Sequence, residues 1–308
     1  MNYLITGGTG LIGRQLITRL MTSPSDEKAN ITVLTRDINK ANASGNKNIT
    51  YIEKLSLAVI ESSDVVINLA GEPIADKRWS KNQKQLVCNS RWHITQTLVS
   101  LMQQTQNPPT IFISGSAIGI YGRQNNSPID ESFSQFNEEF SNTVCEQWEH
   151  IALNAQSEKT RVSVIRTGIV LSTQGGALKK MLTPFKFGLG GNIGKGTQMM
   201  SWIHIDDMVS GIVHIINNDT LNGPINMTSP NAVSNEEFSS TLATTLKRPC
   251  FMDMPSFVVK TLFGEMSDLL LFGQNIIPKK LIDNDYSFAF ENLESALSDL
   301  LTEPKPKK

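Results

Sequence analysis

The chain has 308 residues, with 28 Lys and Arg against 29 Asp and Glu for a net charge of −1. That length suffices for a substantial core in two lobes, and the balanced charge offers no electrostatic case for nucleic acid or an anionic membrane surface. Cys88, Cys145 and Cys250 stand far apart with no C-x-x-C, which argues against a disulfide framework and against zinc.

The chain opens on an apolar run, residues 2–6, long enough for one buried strand. Glycines follow at Gly7, Gly10 and Gly13, then a helical periodicity at Leu11, Ile12, Leu16, Ile17 and Leu20. Strand, glycine turn and helix N-terminus in that order make an anion site. The glycines let the backbone approach a pyrophosphate closely, and the first free amides of the helix point at the phosphates. Gly7, Thr9, Gly10, Leu11, Ile12 and Gly13 are the candidate cradle. The next strand, residues 31–34, ends in Thr35-Arg36-Asp37. At this strand end an acid meets a ribose 2′-hydroxyl and an arginine suits a 2′-phosphate. Arg36 therefore points to NADP rather than NAD, the alternative being a solvated Arg–Asp pair.

Further on, residues 49–52 predict a third strand, and residues 64–69 a fourth that ends in Leu69, Ala70 and Gly71. A long helix is expected over about residues 82–104 and a strand over 110–114. A helix over 138–154 and a strand over 162–166 follow. Such alternation implies an α/β fold, a doubly wound parallel sheet with helices on both faces. Its ligand crevice belongs at the carboxyl ends of the strands. Those ends carry the glycine turn, Arg36, Leu69, Ala70, Gly71, Ser114, Ser116 and Arg166.

After residue 168 the pattern loosens. The glycine-rich stretch 188–196 lacks a G-K-[ST] and a following helix, so it reads as a mobile loop over the substrate or as a plain surface loop. Asp206 or Asp207 can cap the helix that runs through Val213. His204 lies beside those acids, but His93, His150 and His214 supply no ligand spacing, and no metal is expected. The last third is amphipathic helix broken by Pro249, Pro255 and Pro278. The expected organisation is a dinucleotide domain over residues 1–170, with 200–217 packing back onto it. Residues 171–199 and 218–302 then form a smaller, mostly helical substrate-side lobe, and 303–308 a disordered tail. With no leader ahead of the first strand and no membrane-length apolar run, a reducing, cytoplasmic setting is expected.

Several stretches together resemble a known superfamily: GGTGLIG, NLAGEPI at 68–74, SGSAIGIYG at 114–122, RTGIVL at 166–171 and SWIHIDD at 201–207. They are similar to the extended short-chain dehydrogenases/reductases. More narrowly, the chain resembles the atypical, epimerase-like branch of the YfcH type. That match rests on Arg78-Trp79, Ser90-Arg91, CEQWE at 145–149, the GLGGNIGKGTQ loop and the block over residues 254–281. The resemblance implies a Rossmann-type domain, a substrate-side lobe and a bound nicotinamide dinucleotide, in proteins whose reaction is generally unassigned.

One departure from the superfamily matters more than the match. Typical members pair a Ser or Thr with Tyr-x-x-x-Lys, in which the lysine lowers the tyrosine pKa. Ser116 matches the first element. Four residues beyond Tyr3, Tyr51, Tyr121 and Tyr286 stand Gly7, Leu55, Asn125 and Phe290, so the dyad is missing. Alignment on Glu149 puts Ser141 and Cys145 in its place. Candidate replacements are Tyr121, a proton donor or else a packing tyrosine, and Cys145, a nucleophile only if a cation depresses its pKa. Glu72, Lys77 and Arg78 face the cofactor or substrate, or else lie in a solvated loop, and Arg91 on the long helix reaches an anionic substrate or forms a surface salt bridge. Trp79, Trp148 and Trp202 line a pocket or fill the core.

Three functions fit these residues. The first is an NADP-dependent oxidoreductase or epimerase acting on a small molecule, a sugar nucleotide among the options. The second is a non-catalytic NADP-binding sensor, and the third an interaction module without cofactor. A monomer or a homodimer suits each.

Overall fold

The computed structural model describes residues 1–22, 29–42 and 48–302. β1 (Asn2–Thr6) is buried at every position after Asn2, as befits a strand covered on both faces. α1 (Leu11–Thr22) follows the glycine turn and buries the stripe Gly13, Leu16, Ile17 and Leu20. β2 (Asn30–Leu34), α2 (Ile38–Asn42) and β3 (Ile49–Ile52) continue the alternation. α3 (Leu57–Glu61) starts where Ser56 Oγ accepts the Val59 amide, and β4 (Val65–Asn68) is wholly buried. Ser80 caps the long α4 (Lys81–Gln104) in the same way, through the Gln83 amide. β5 (Ile111–Ala117), a short β6 (Pro128–Ile129), α5 (Phe140–Leu153) and β7 (Arg161–Thr167) follow.

The second half is more broken. β8 (Ile169–Leu171), α6 (Gly176–Lys186), β9 (Met199–Met200), β10 (Trp202–His204), α7 (Ile205–Asn217) and β11 (Gly223–Met227) lead into β12 (Val233–Ser234) and α8 (Asn235–Leu246). The C-terminal part holds α9 (Ser256–Phe263), α10 (Asp268–Leu271), β13 (Asn275–Ile276), α11 (Lys279–Asp283) and α12 (Leu293–Leu301). The expected tail at 303–308 lies outside the described residues.

Seven parallel strands form the main sheet in the order β11-β7-β5-β4-β1-β2-β3. The fold is the expected α/β class, and its strand order reverses between β1 and β4, the switch point at which open sheets of this kind bind ligands. Period-two alternation divides the core. Tyr3 and Ile5 face α1 and α7, whereas Leu4, Val66 and Phe112 face α4 and α5. A separate core joins Phe185 of α6, Trp202, Phe238 of α8 and Leu297 of α12.

Three expectations need correction or resolution. Gly223–Met227, expected in the substrate-side lobe, is the edge strand of the main sheet, paired with β7 from Gly223↔Ser163 to Met227↔Thr167. Its Gly, Pro and Asn disguise it, and an edge strand tolerates Pro224. The cap of α7 is neither aspartate but His204, whose Nδ1 accepts the Asp206 amide at 3.1 Å. Asp207 is instead buried and accepts from the amides of Ala289 (2.8 Å) and Phe290 (2.9 Å) and from Tyr286 OH (3.1 Å), tying the C-terminal segment to α7. The glycine-rich loop is strapped down: Phe251 and Met252 donate to Gly190 O, Met254 to Asn192 O, and Gly194 to Met254 O. A Cβ on Gly191 would stand 2.2 Å from the Met252 backbone, so its glycine serves close chain packing.

Candidate functional site

The glycine turn has the geometry that phosphate binding asks of it. Gly7 takes φ +70°, and a Cβ there would lie 2.5 Å from Leu69 O. One on Gly13 would lie 2.4 Å from Gly7 O. Both glycines therefore serve close packing of turn, helix and neighbouring strand. Gly10 differs: its amide donates to Gly7 O at 2.9 Å, and a Cβ would meet only that same oxygen, at 3.1 Å. Its outer side faces open space. The amides of Leu11 and Ile12 meet no acceptor among the described residues, as the first turn of a helix requires. Thr9 and Gly10 are exposed beside them.

Neighbouring strand ends complete this cradle. Thr6 pairs with Leu34 on one side and Asn68 on the other, so Arg36 stands just past the strand end that flanks Gly7. Arg36 is exposed. Leu69 and Ala70 are pinned by their amides to Thr6 O (3.1 Å) and Thr6 Oγ1 (3.3 Å). These residues fit a dinucleotide: space over Gly10 and the free helix amides for a pyrophosphate, and a guanidinium at the ribose end.

At the ends of β5 and β7 lies a buried polar chain. Ser116 Oγ donates to Glu149 Oε1 at 2.7 Å. Arg166 grips the same carboxylate along one edge, Nε to Oε1 at 2.9 Å and Nη2 to Oε2 at 2.8 Å. Arg166 Nη1 donates to Tyr121 OH at 3.0 Å, and that hydroxyl donates to Asn226 Oδ1 at 2.7 Å. The Asn226 amide donates to Glu131 Oε1 at 2.9 Å. Burial opposes the charge on Arg166, but its bonds to Glu149 prevail and raise its pKa. Burial also raises the pKa of Tyr121 and of Glu131.

Several expected site residues are thereby moved inward. Tyr121 has no exposed surface and its proton is committed to Asn226, so it is a packing and network residue rather than a donor at the crevice. Arg166 serves Glu149 and Tyr121 instead of a cofactor. Ser114 is wholly buried, facing Asn68 at 3.5 Å. Cys145 is buried, and desolvation together with the Glu149 charge pushes its pKa up to about 11, the reverse of an activated thiol. Ser116 is buried too, at the carboxyl end of β5, next to Gly115, whose missing side chain leaves room for the Trp148 ring. Trp148 and Trp202 bond inward to Thr95 and Asn231, and Trp79 packs edge-on against Phe140.

Sequence reasoning used Glu149 only as an alignment anchor and missed its role. Ser141, Cys145, Trp148, Glu149 and Ala152 form the buried stripe of α5, and an acid on such a stripe calls for a cation. Arg166, the charged residue among the buried positions of β7, is that cation.

His204, Asp206 and Asp299 bring ligand atoms within 4.8 Å of one another. Nδ1 of His204 is used by the Asp206 amide, so the ring proton sits on Nε2, 3.4 Å from Asp299 without hydrogen-bond alignment. Neither nitrogen is left free to ligate a cation. Among the described residues, no helix is long and apolar enough to cross a membrane.

Strand order, cradle and strand-end arginine define a Rossmann-type dinucleotide-binding protein. The NAD dependent epimerase/dehydratase family matches residues 3–227, and the chain belongs to that family. A second description, Domain of unknown function (DUF1731), matches residues 254–300, the segment that Asp207 ties down. Epimerase family protein SH2119 of Staphylococcus haemolyticus is 36% identical over 299 residues, covering 97% of this chain and 98% of that one. The crystal structure of human epimerase family protein SDR39U1 (isoform 2) with NADPH superposes with a TM-score of 0.85 at 30% identity, over 97% of this chain and 99% of that one. The nucleoside-diphosphate sugar epimerase of Corynebacterium glutamicum reaches 0.77 at 28% identity, covering 98% of this chain and 58% of that one.

Proposed function

We propose that this protein is an NADP(H)-dependent oxidoreductase or epimerase for a small substrate, with Ser116 and Glu149 taking over the proton handling that the superfamily gives to its tyrosine–lysine dyad. The observation that carries this reading is the 2.7 Å bond from Ser116 to a carboxylate fixed by Arg166. Nicotinamide would supply the hydride exchange, which leaves the protein to orient the substrate and manage one proton. A hydroxyl backed by a carboxylate can pass a proton inward or return it. Arg166 keeps that carboxylate in one orientation while the proton moves. Arg36 supports NADP over NAD, as does the NADPH held by the human relative. The sugar nucleotide named for the Corynebacterium protein makes that class the first to screen.

The test is direct. Purified protein should bind NADPH in calorimetry. It should also exchange deuterium from one face of 4-deuterated NADPH into a substrate within a sugar-nucleotide and small-carbonyl screen. Binding without any stereospecific exchange would favour the sensor reading, to which the missing dyad also points.

A further inference from the structure

Arg91 has no established task, and its surroundings suggest one. It lies on α4 with its guanidinium against Gly71, where an added Cβ would stand 3.0 Å from Cζ. Gly71 is exposed just past the carboxyl end of β4, the side of the sheet on which ligands bind in folds of this class, and the guanidinium lies against it. The other side of Arg91 rests on the Trp148 ring, 5.2 Å from Cζ to the centroid. That same ring fills the space beside Gly115, next to Ser116. One aromatic ring thus links Arg91 to the residue beside the proposed proton carrier.

Its hydrogen bonds are lopsided. Nη1 donates to Glu72 O at 2.9 Å and to Val87 O at 3.0 Å. Nε and Nη2 meet no acceptor among the described residues, and no carboxylate of those residues lies within ion-pair distance. Burial lowers its pKa, with Cys145, Cys88 and Glu72 opposing that effect. Arg166 provides the contrast within the same protein: its Nε and Nη2 edge holds the Glu149 carboxylate with two bonds. Arg91 presents the same planar edge, partly desolvated, with nothing on it. A guanidinium edge of this kind matches an anionic oxygen group bidentately.

We propose that Arg91 is the receptor for an anionic oxygen group, carboxylate or phosphate, on the substrate of the Ser116 site. This rests on the function proposed above and adds the charge class of the substrate. Glu72 is held in register for it, because Ser90 Oγ accepts the Glu72 amide at 2.9 Å while Arg91 Nη1 holds its carbonyl.

Calorimetric titrations of the full chain, with and without NADPH, would use malonate, inorganic phosphate and the neutral malonamide. Malonate or phosphate should bind and malonamide should not, and the tighter anion identifies the group. Arg91→Met should weaken anion binding roughly 10- to 100-fold, Arg91→Lys less, and neither should change NADPH affinity. In ¹⁵N-labelled unmodified protein the anion should shift the Gly71 and Glu72 amides and the Trp148 indole, a readout that does not depend on a variant folding. Anion binding that survives Arg91→Met, shifts confined to other residues, or no anion binding at all would overturn the proposal. Loss of NADPH affinity in Arg91→Met would assign the residue to the cofactor and overturn it too. Failure of the unmodified protein to bind NADPH would remove the proposed function, while titration of the protein alone still decides for or against Arg91.

Discussion

Ser116 gives its hydroxyl hydrogen to Glu149, at 2.7 Å and in a buried setting. The two differ in what else holds them. Glu149 keeps Arg166 if Ser116 is lost, whereas Arg166 is left as an uncompensated buried charge if Glu149 is neutralised. Ser116→Ala should therefore cost only about 1 kcal/mol of unfolding free energy and leave NADPH affinity nearly unchanged. Glu149→Gln should cost about 3–5 kcal/mol, the usual penalty for breaking a buried pair. Urea unfolding measures both. Once a substrate is found, Ser116→Ala should lower turnover by roughly 10²–10⁴, the usual contribution of one positioned acid–base group. Full turnover by that variant would remove Ser116 from the chemistry.

In the proposed function, Arg36 sets cofactor choice through charge in a solvated place. NADPH should bind more tightly than NADH, and Arg36→Ala should remove most of the difference. Because Arg36 is exposed, solvent screening trims the contact, and about 1–2 kcal/mol, roughly 5- to 30-fold, is the expected gap. Added salt should narrow it. Equal affinities of the unmodified protein for the two nucleotides at low salt would exclude this role.

The parts legible in the sequence are those written in consecutive residues. The strand, glycine turn and helix at the start, the parallel alternation and the resemblance all rest on local patterns, and the sheet order agrees with them. The less legible parts are partnerships across distance. Glu149 meets Arg166 from a different element, and Asp207 finds its amides at Ala289 and Phe290. No local periodicity encodes either pairing. β11 escaped for another reason. Its membership in the sheet depends on an edge position beside β7, which excuses the proline and glycine that normally end a strand.

The glycines of the turn should separate by experiment into two kinds. Gly13 is needed by the fold, since a side chain would collide with Gly7 O, and Gly13→Val should lower thermal stability. Gly10 has open space outside it, where a pyrophosphate would lie. Gly10→Val should abolish NADPH binding while the melting temperature of the free protein changes little. Undiminished binding by Gly10→Val would mean that the phosphates sit elsewhere.

His204 makes stability depend on pH. Its ring is buried, stacked on Phe290 at 3.9 Å between centroids, and burial holds its pKa below the ordinary 6.5 despite Asp206, Asp299 and Asp207 nearby. Below about pH 6.5 the unfolded chain gains a proton on this residue that the folded chain refuses, so unfolding is favoured. The contribution of the neutral ring is therefore fully present above the unfolded pKa and is lost as pH falls toward the folded one. His204→Asn keeps an oxygen that can accept the Asp206 amide but removes the titrating ring. Urea unfolding between about pH 7.5 and about pH 5.5 should show the unmodified protein losing stability on acidification more steeply than the variant. Carboxylates elsewhere act on both proteins alike, so the difference in slope isolates His204. Parallel slopes would show that the ring accepts its proton as readily in the folded state as in the unfolded chain.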